Sequence, residues 1–316
     1  MRSTDAVSAK KINEIAKKVA DASARLPQIE EGSPERARAF REERGNPFAP
    51  GVCELESIED LLIPIRSGEV LVRVYKPLDS KGELSPGFVF YHGGGFVLGN
   101  VNQYDTITQH IAAKSNCIVV SVDYKLAPDN KIKSIHRDGF DAYRWVRENA
   151  EKLGIDPKRI VIGGDSAGGN LTIGVGLLCK KEKFPMPACQ ILIYPSVDLP
   201  MSFSSVEEFA SGYFLTKAGM AWFRSHYLET PEQANDPELL FLERDLGGLS
   251  PALVVTAGFD PLRDEGKAFA DKLEEYHVEV SHVCYTDMIH GFLSFAGGIP
   301  AGMELIEQIA ERVKEL

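Results

Sequence analysis

Five short runs of this chain are apolar almost without a break: residues 88–91, 117–122, 160–163, 190–194 and 252–257. A strand that is apolar on both faces must be covered on both faces, which is the situation of a parallel sheet between layers of helix. The segments between and after these runs have helix length: 103–116, 138–153, 167–181, 264–276 and 302–316. Before them, residues 58–65 and 69–76 read as strands, the second alternating through Val70, Val72 and Val74. Alternation predicts a half-buried antiparallel hairpin. With a mixed strand at 278–285, the reading is an α/β chain with eight strands, antiparallel at the start and parallel after it.

The chain has 316 residues, with 44% hydrophobic and 26% charged residues and a formal net charge of -11. That length allows one large domain or two ordinary ones. The acidic balance argues against nucleic acid, since phosphate binding needs a basic face. The cysteines, Cys53, Cys117, Cys179, Cys189 and Cys284, include no C-x-x-C pair. Neither a clustered zinc site nor a disulfide framework is expected; they are read as buried, reduced thiols of a cytoplasmic protein. The polar, Lys-rich residues 1–22 lack the apolar stretch of a secretory signal. No run has the length of a membrane span, so no membrane insertion is expected.

Two regions stand outside the alternation. Residues 1–50 hold Ile12, Ile15 and Val19 at helical spacing, a second charged helical segment at 33–43, and a Pro/Gly-rich linker. Their thin apolar stripe predicts a helix packed on its own protein, not one lying on a membrane surface. Residues 196–249 separate two strands by far more chain than a crossover needs, and carry Phe203, Phe209, Tyr213, Phe214, Trp222, Phe223 and Tyr227. Two readings stand side by side: insertions of this length in a compact domain usually serve function, and the alternative is a set of ordinary surface helices buried by their own aromatics.

The strongest local signal is Gly163-Gly164-Asp165-Ser166-Ala167-Gly168-Gly169, which contains G-x-S-x-G. A strand-like run precedes it and a helix-like run follows. The glycines allow a sharp strand-to-helix turn that leaves the serine strained, with its hydroxyl exposed. The turn lacks the P-loop lysine and the G-x-G-x-x-G spacing, which disfavours a nucleotide site. A second signal is His92-Gly93-Gly94-Gly95, directly after the strand at 88–91. Consecutive glycines free backbone N–H groups for a ligand. In acyl transfer those groups, with the N–H of the residue after the nucleophile, would hold an oxyanion.

A serine nucleophile needs a base and an orienting acid. Of the seven histidines, only His290 falls in the loop after the last predicted strand. Asp260 is the first carboxylate past the strand at 252–257. Asp264 reads as a first-turn charge on the next helix, and Asp287, three residues from His290, is a weaker rival. The order Ser166, Asp260, His290 is the nucleophile–acid–histidine order of an α/β-hydrolase sheet.

Taken with Tyr124-Lys125-Leu126-Ala127-Pro128, Asp260–Gly266 and His290-Gly291-Phe292, these motifs resemble the hormone-sensitive lipase family of α/β-hydrolases, in particular its microbial esterases with a G-D-S-A-G elbow. The resemblance runs from about residue 60 to the end. It implies an α/β-hydrolase fold with an eight-stranded, mostly parallel sheet flanked by helices. Ser166 would be the nucleophile, His290 the base and Asp260 its partner. The oxyanion hole would come from the N–H groups of Gly94, Gly95 and Ala167, with His92 and Gly93 supporting that loop. No metal or cofactor is implied. A helical cap would combine residues 1–50 with the insertion 196–249, leaving 51–195 and 250–316 as the catalytic domain. One departure stands out: the family's Pro-rich run after Pro128 is replaced by Asp129-Asn130-Lys131-Ile132-Lys133-Ser134-Ile135-His136-Arg137-Asp138.

The expected function is hydrolysis of small, short-acyl carboxylic esters through an acyl-enzyme. The rivals are a related acyl hydrolase acting on acetylated sugars, lactones or amides, a small-ligand receptor on the same scaffold, and a lipase working at a membrane surface. The expected partner is a small-molecule ester, with no nucleic acid; family members often form homodimers through an edge strand.

Overall fold

The computed structural model describes residues 11–78 and 84–316. Residues 1–10, part of the Lys-rich N-terminal stretch, lie outside the described residues. The strands are β1 (Ser57–Ile65), β2 (Gly68–Lys76), β3 (Ser85–Tyr91), β4 (Ile118–Val122), β5 (Ile155–Asp165), β6 (Cys189–Ile193), β7 (Ala252–Phe259) and β8 (Val280–Ile289). The helices are α1 (Glu14–Ser23), α2 (Pro34–Arg44), α3 (Val101–Ser115), α4 (Ile132–Glu148), α5 (Ala150–Leu153), α6 (Ala167–Glu182), α7 (Ser204–Glu208), α8 (Lys217–Tyr227), α9 (Arg263–Glu275) and α10 (Pro300–Lys314).

The eight strands form one sheet in the order β1-β2-β4-β3-β5-β6-β7-β8. The pairs β1–β2 and β2–β4 are antiparallel and all the others parallel. The apolar runs became the central strands for the reason that made them legible. Strands β3, β4 and β6 are buried at every residue, and each Val, Ile or Phe so covered contributes roughly 1.5–3 kcal/mol of burial. The exposed and buried positions of β1 and β2 instead alternate. Helices α3 and α10 pack together against one face of the sheet, and α4 and α6 against the other.

Register levels the strand ends. Tyr91 pairs with Gly164, Asp165 with Ile193, and Phe259 with Ile289. The loops that leave β3, β5, β7 and β8 therefore open side by side at the carboxyl edge, where sites in open α/β sheets collect.

Some boundaries differ from the sequence reading. Strand β8 runs on to Ile289, so Asp287 is inside it and His290 follows it directly. Helix α4 starts at Ile132, within the segment that replaces the family's Pro-rich run. Ile132, Ile135 and His136 give that extra turn a buried face. On α1 the buried residues are Ala16, Val19 and Ala20, while Ile15 stays exposed. The small side chains let this helix pack closely, and Asn13 N donates to Asp287 O at 2.9 Å on the sheet's edge strand. Cys53 and Cys284 are only half-buried, unlike the other three cysteines, and none of the five is in a disulfide.

Helix α2 starts on the Ser33 side-chain cap and Pro34 and ends at Gly45, whose φ is 62°. Its Arg38 reaches back to the sheet's loops, donating from Nε to Val97 O at 2.8 Å and from Nη2 to Ala127 O at 2.5 Å. Replacing Arg38 with Met strips two acceptors of a charged donor, which is expected to lower stability by about 1–3 kcal/mol. The urea midpoint measures this; a wild-type midpoint at unchanged slope would contradict the docking role.

Candidate active site

The turn after β5 is tight because β3 lies against it. A Cβ on Gly168 would stand 1.9 Å from Tyr91 O, so only glycine fits there. The turn puts Ser166 at φ 57° and ψ -115°, a conformation that costs on the order of 1–3 kcal/mol and holds only under constraint from both sides. Ser166 N donates to Ile193 O at 2.8 Å, which supplies one such constraint. Ser166 directly precedes the first turn of α6, at the positive end of that helix.

Three residues from three loops meet at the serine. His290 Nε2 lies 2.9 Å from Ser166 Oγ, and His290 Nδ1 lies 2.7 Å from Asp260 Oδ2. A carboxylate only accepts, so Nδ1 carries the proton and Nε2 presents its lone pair to the serine hydroxyl. Asp260 is fully buried, and its other oxygen, Oδ1, accepts from Leu262 N at 2.8 Å. Both carboxylate oxygens are thus held. The Tyr194 ring packs edge-on against the imidazole, 4.7 Å between centroids, and restricts its tilt.

The glycine loop divides by the direction of its amides. Gly93 N donates to Asp165 Oδ1 at 2.7 Å and to Tyr104 Oη at 3.1 Å, and Tyr104 Oη donates to Asp165 Oδ2 at 2.9 Å. The amides of Gly94, Gly95 and Ala167 donate to no acceptor among the described residues. All three residues line the cavity that contains Ser166 and His290. His92 lies behind the loop, stacked on Tyr124 at 4.3 Å with its Nδ1 donating to Gly93 O at 2.8 Å. Burial pushes its pKa down, against the bond to Gly93 O. Tyr124 Oη donates to His92 O at 2.7 Å and pins the loop from the far side.

Every predicted site residue therefore falls at this one edge. Asp287, the rival acid, does not reach His290, whose Nδ1 is taken by Asp260. Asp264 differs from expectation: its role goes beyond a first-turn charge on a helix. It is 1% exposed, pairs with Arg263 Nε at 2.8 Å, and accepts from Ser204 Oγ at 2.9 Å and Ser205 N at 3.1 Å. Those bonds dock the start of the insertion onto α9. Glu265 does the same one residue on, accepting from Val197 N at 2.6 Å and Asp198 N at 3.1 Å; burial holds its pKa well above the carboxylate range. The sequence reading gave no role to Asp165, Tyr104, Tyr194 or Glu265. Asp165 sat inside the elbow motif, but its partners are distant in the chain. His136, which the sequence reading set aside, is a satisfied core residue, with Nε2 at 2.8 Å from Asn170 Oδ1 and a pKa pushed down to about 4 by burial.

The cavity encloses about 680 Å³. The insertion gives it Phe214, Leu215, Met220, Phe223 and Tyr227, while Phe203 and Phe209 are buried. Phe223 lies over the glycine loop: a Cβ on Gly95 would stand 2.3 Å from its ring. Trp222 Nε1 donates to Gly32 O at 3.1 Å and joins the insertion to the N-terminal segment.

Burial raises the pKa of Asp165 to about 6 against its bonds to Tyr104 and Gly93. A carboxyl raised in the folded state favours folding while protonated. Its contribution is complete below the unfolded value near 3.8 and is lost as pH rises through about 6. Asp165→Asn cannot ionise, so its stability relative to wild type is expected to improve between pH 4 and pH 7. Urea titrations at both pH values measure this; a constant difference would refute the buried charge.

The same architecture recurs in known proteins. Residues 88–294 match the family model described as alpha/beta hydrolase fold. The chain is 38% identical over 271 residues to the carboxylic ester hydrolase LipN of Mycobacterium tuberculosis, covering 82% of this chain and 72% of that protein. It is 34% identical to an ethyl acetate hydrolase of Pseudomonas putida, covering 88% of this chain and 89% of that one. Among solved structures, an ester hydrolase from the metagenome of Lake Arreo superposes with a TM-score of 0.92 at 34% identity, over 96% of this chain and 98% of that one. An esterase of Pyrobaculum calidifontis gives 0.88 at 36%, with the same coverage. The chain belongs to the α/β-hydrolase family, in its hormone-sensitive-lipase-like branch of esterases.

Proposed function

We propose that the protein is a serine carboxylesterase. One observation carries the reading: a strained serine hydroxyl lies 2.9 Å from an imidazole nitrogen whose other nitrogen is 2.7 Å from a buried carboxylate. Ser166 Oγ attacks the ester carbonyl while His290 Nε2 takes its proton. Asp260 holds the tautomer and stabilises the imidazolium. The amides of Gly94, Gly95 and Ala167 receive the oxyanion, and His92 and Gly93 keep that loop in shape. His290 then protonates the leaving alcohol, and water, activated by the same imidazole, releases the acid from Ser166.

In this reading the residues before 51 and the insertion 196–249 act together as a cap over 51–195 and 250–316. The Trp222–Gly32 bond and the Arg38 anchor support this, as does Phe223 over the glycine loop. The cap closes an apolar space beside Ser166 suited to a small ester. A relative named for ethyl acetate hydrolysis agrees with short acyl chains.

Ser166→Ala is expected to lower nitrophenyl-ester turnover by roughly 10⁴-fold or more with the far-UV spectrum unchanged. A variant that keeps the wild-type rate would overturn the assignment. Across nitrophenyl esters from acetate to laurate, kcat/KM is expected to peak at the short end; a maximum at laurate would contradict the short-acyl reading.

A further inference from the structure

A second cavity, about 400 Å³, adjoins the first, and Arg41, Glu42, Asn100 and Gln103 line both. These four residues form the neck between the reaction space and the second chamber. Arg41 sits one turn beyond Arg38 on α2, so the two side chains leave the same side of the helix. Arg38 is committed to Val97 O and Ala127 O. Arg41 is half-buried, yet its guanidinium makes no hydrogen bond or ion pair among the described residues. A partly desolvated cation without a counter-ion is an unfavourable arrangement that a bound anion corrects.

The neighbours present donors. Asn100 Oδ1 is engaged as the cap of α3, accepting from Gln103 N at 3.0 Å, which leaves its amide N–H groups for a ligand. The Gln103 carboxamide makes no bond among the described residues. Both sit at the amino end of a fifteen-residue helix, the end that favours negative charge. Glu42, the one acid in the neck, is exposed and screened by water. Two further acids line the second chamber, Asp123, whose Oδ1 accepts from Val101 N at 3.1 Å, and the exposed Asp129, and the cations Arg38 and Lys125 line it with them.

We propose that this neck is a carboxylate subsite, and that the enzyme takes esters carrying a second, anionic carboxylate, such as half-esters of short dicarboxylic acids. Arg41 receives that carboxylate through its planar fork, assisted by the Asn100 and Gln103 amides, while the ester carbonyl lies at Ser166. The inference rests on the esterase reading and names a substrate class for it.

The test compares monoethyl succinate, glutarate and adipate with neutral isosteres, ethyl 5-methylhexanoate being that of the glutarate. Released acid is followed in a pH-stat for wild type, Arg41→Met and Arg41→Lys. For at least one chain length, the ratio of kcat/KM for the anionic over the neutral ester is expected to fall about tenfold or more in Arg41→Met. Arg41→Lys, which keeps the charge without the fork, is expected to fall between the two. A ratio that falls less than tenfold at all three lengths, or a wild-type enzyme that cleaves the neutral esters and not the anionic ones, overturns the subsite while leaving the esterase reading intact. A wild-type enzyme that hydrolyses neither these esters nor nitrophenyl acetate sinks both.

Discussion

The carboxylate of Asp165 is the contact on which the catalytic edge depends. It is buried next to Ser166 and accepts from the Gly93 amide and the Tyr104 hydroxyl. One group thereby fixes the loop after β3 against the turn after β5. The amides proposed as oxyanion donors belong to those two segments, so their spacing is set by this bond and by the Tyr91–Gly168 approach beneath it. An ångström of slippage there would misplace the donors relative to the serine, an error that typically costs about 10²-fold in rate. Burial makes the bond rigid and the charge expensive; the raised pKa of Asp165 is the signature of that compromise.

Much of this was legible because local chemistry and position agreed. Unbroken Val and Ile runs could only be covered strands, and the motifs fell at their carboxyl ends. Ser166 is read from its glycine-flanked motif and Asp260 and His290 from loop order, and the structure brings the three side chains together. What stayed hidden depended on partners far along the chain. Tyr104 and Asp165 are 61 residues apart, and nothing near either names the other. Asp264 satisfied a local rule, a negative charge in a first turn, but Ser204 and Ser205 engage it as a docking point. On α1 Val19 of the expected apolar stripe is buried, but Ala16 and Ala20 complete its packed face and Ile15 stays exposed.

The cavity shows a similar limit. Composition marked the insertion as aromatic, but not which rings face the substrate space and which bury themselves. The division follows from attachment at two ends. Asp264 and Glu265 hold the start of the insertion to α9, and Trp222 ties α8 to the N-terminal segment. Phe214 and Phe223 reach the cavity, while Phe209 packs on Phe259. The same segment that Trp222 holds carries Arg38 and Arg41, so the wall of the pocket and its charged neck are one assembly.

The central claim is that Ser166 is an activated nucleophile. The most direct measurement is exposure of the folded protein to a fluorophosphonate, followed by mass mapping of the adduct. The account predicts one adduct per chain, on Ser166, with labelling strongly slowed in His290→Ala. Labelling of another residue, or an unreactive Ser166 in the folded wild-type protein, would contradict it.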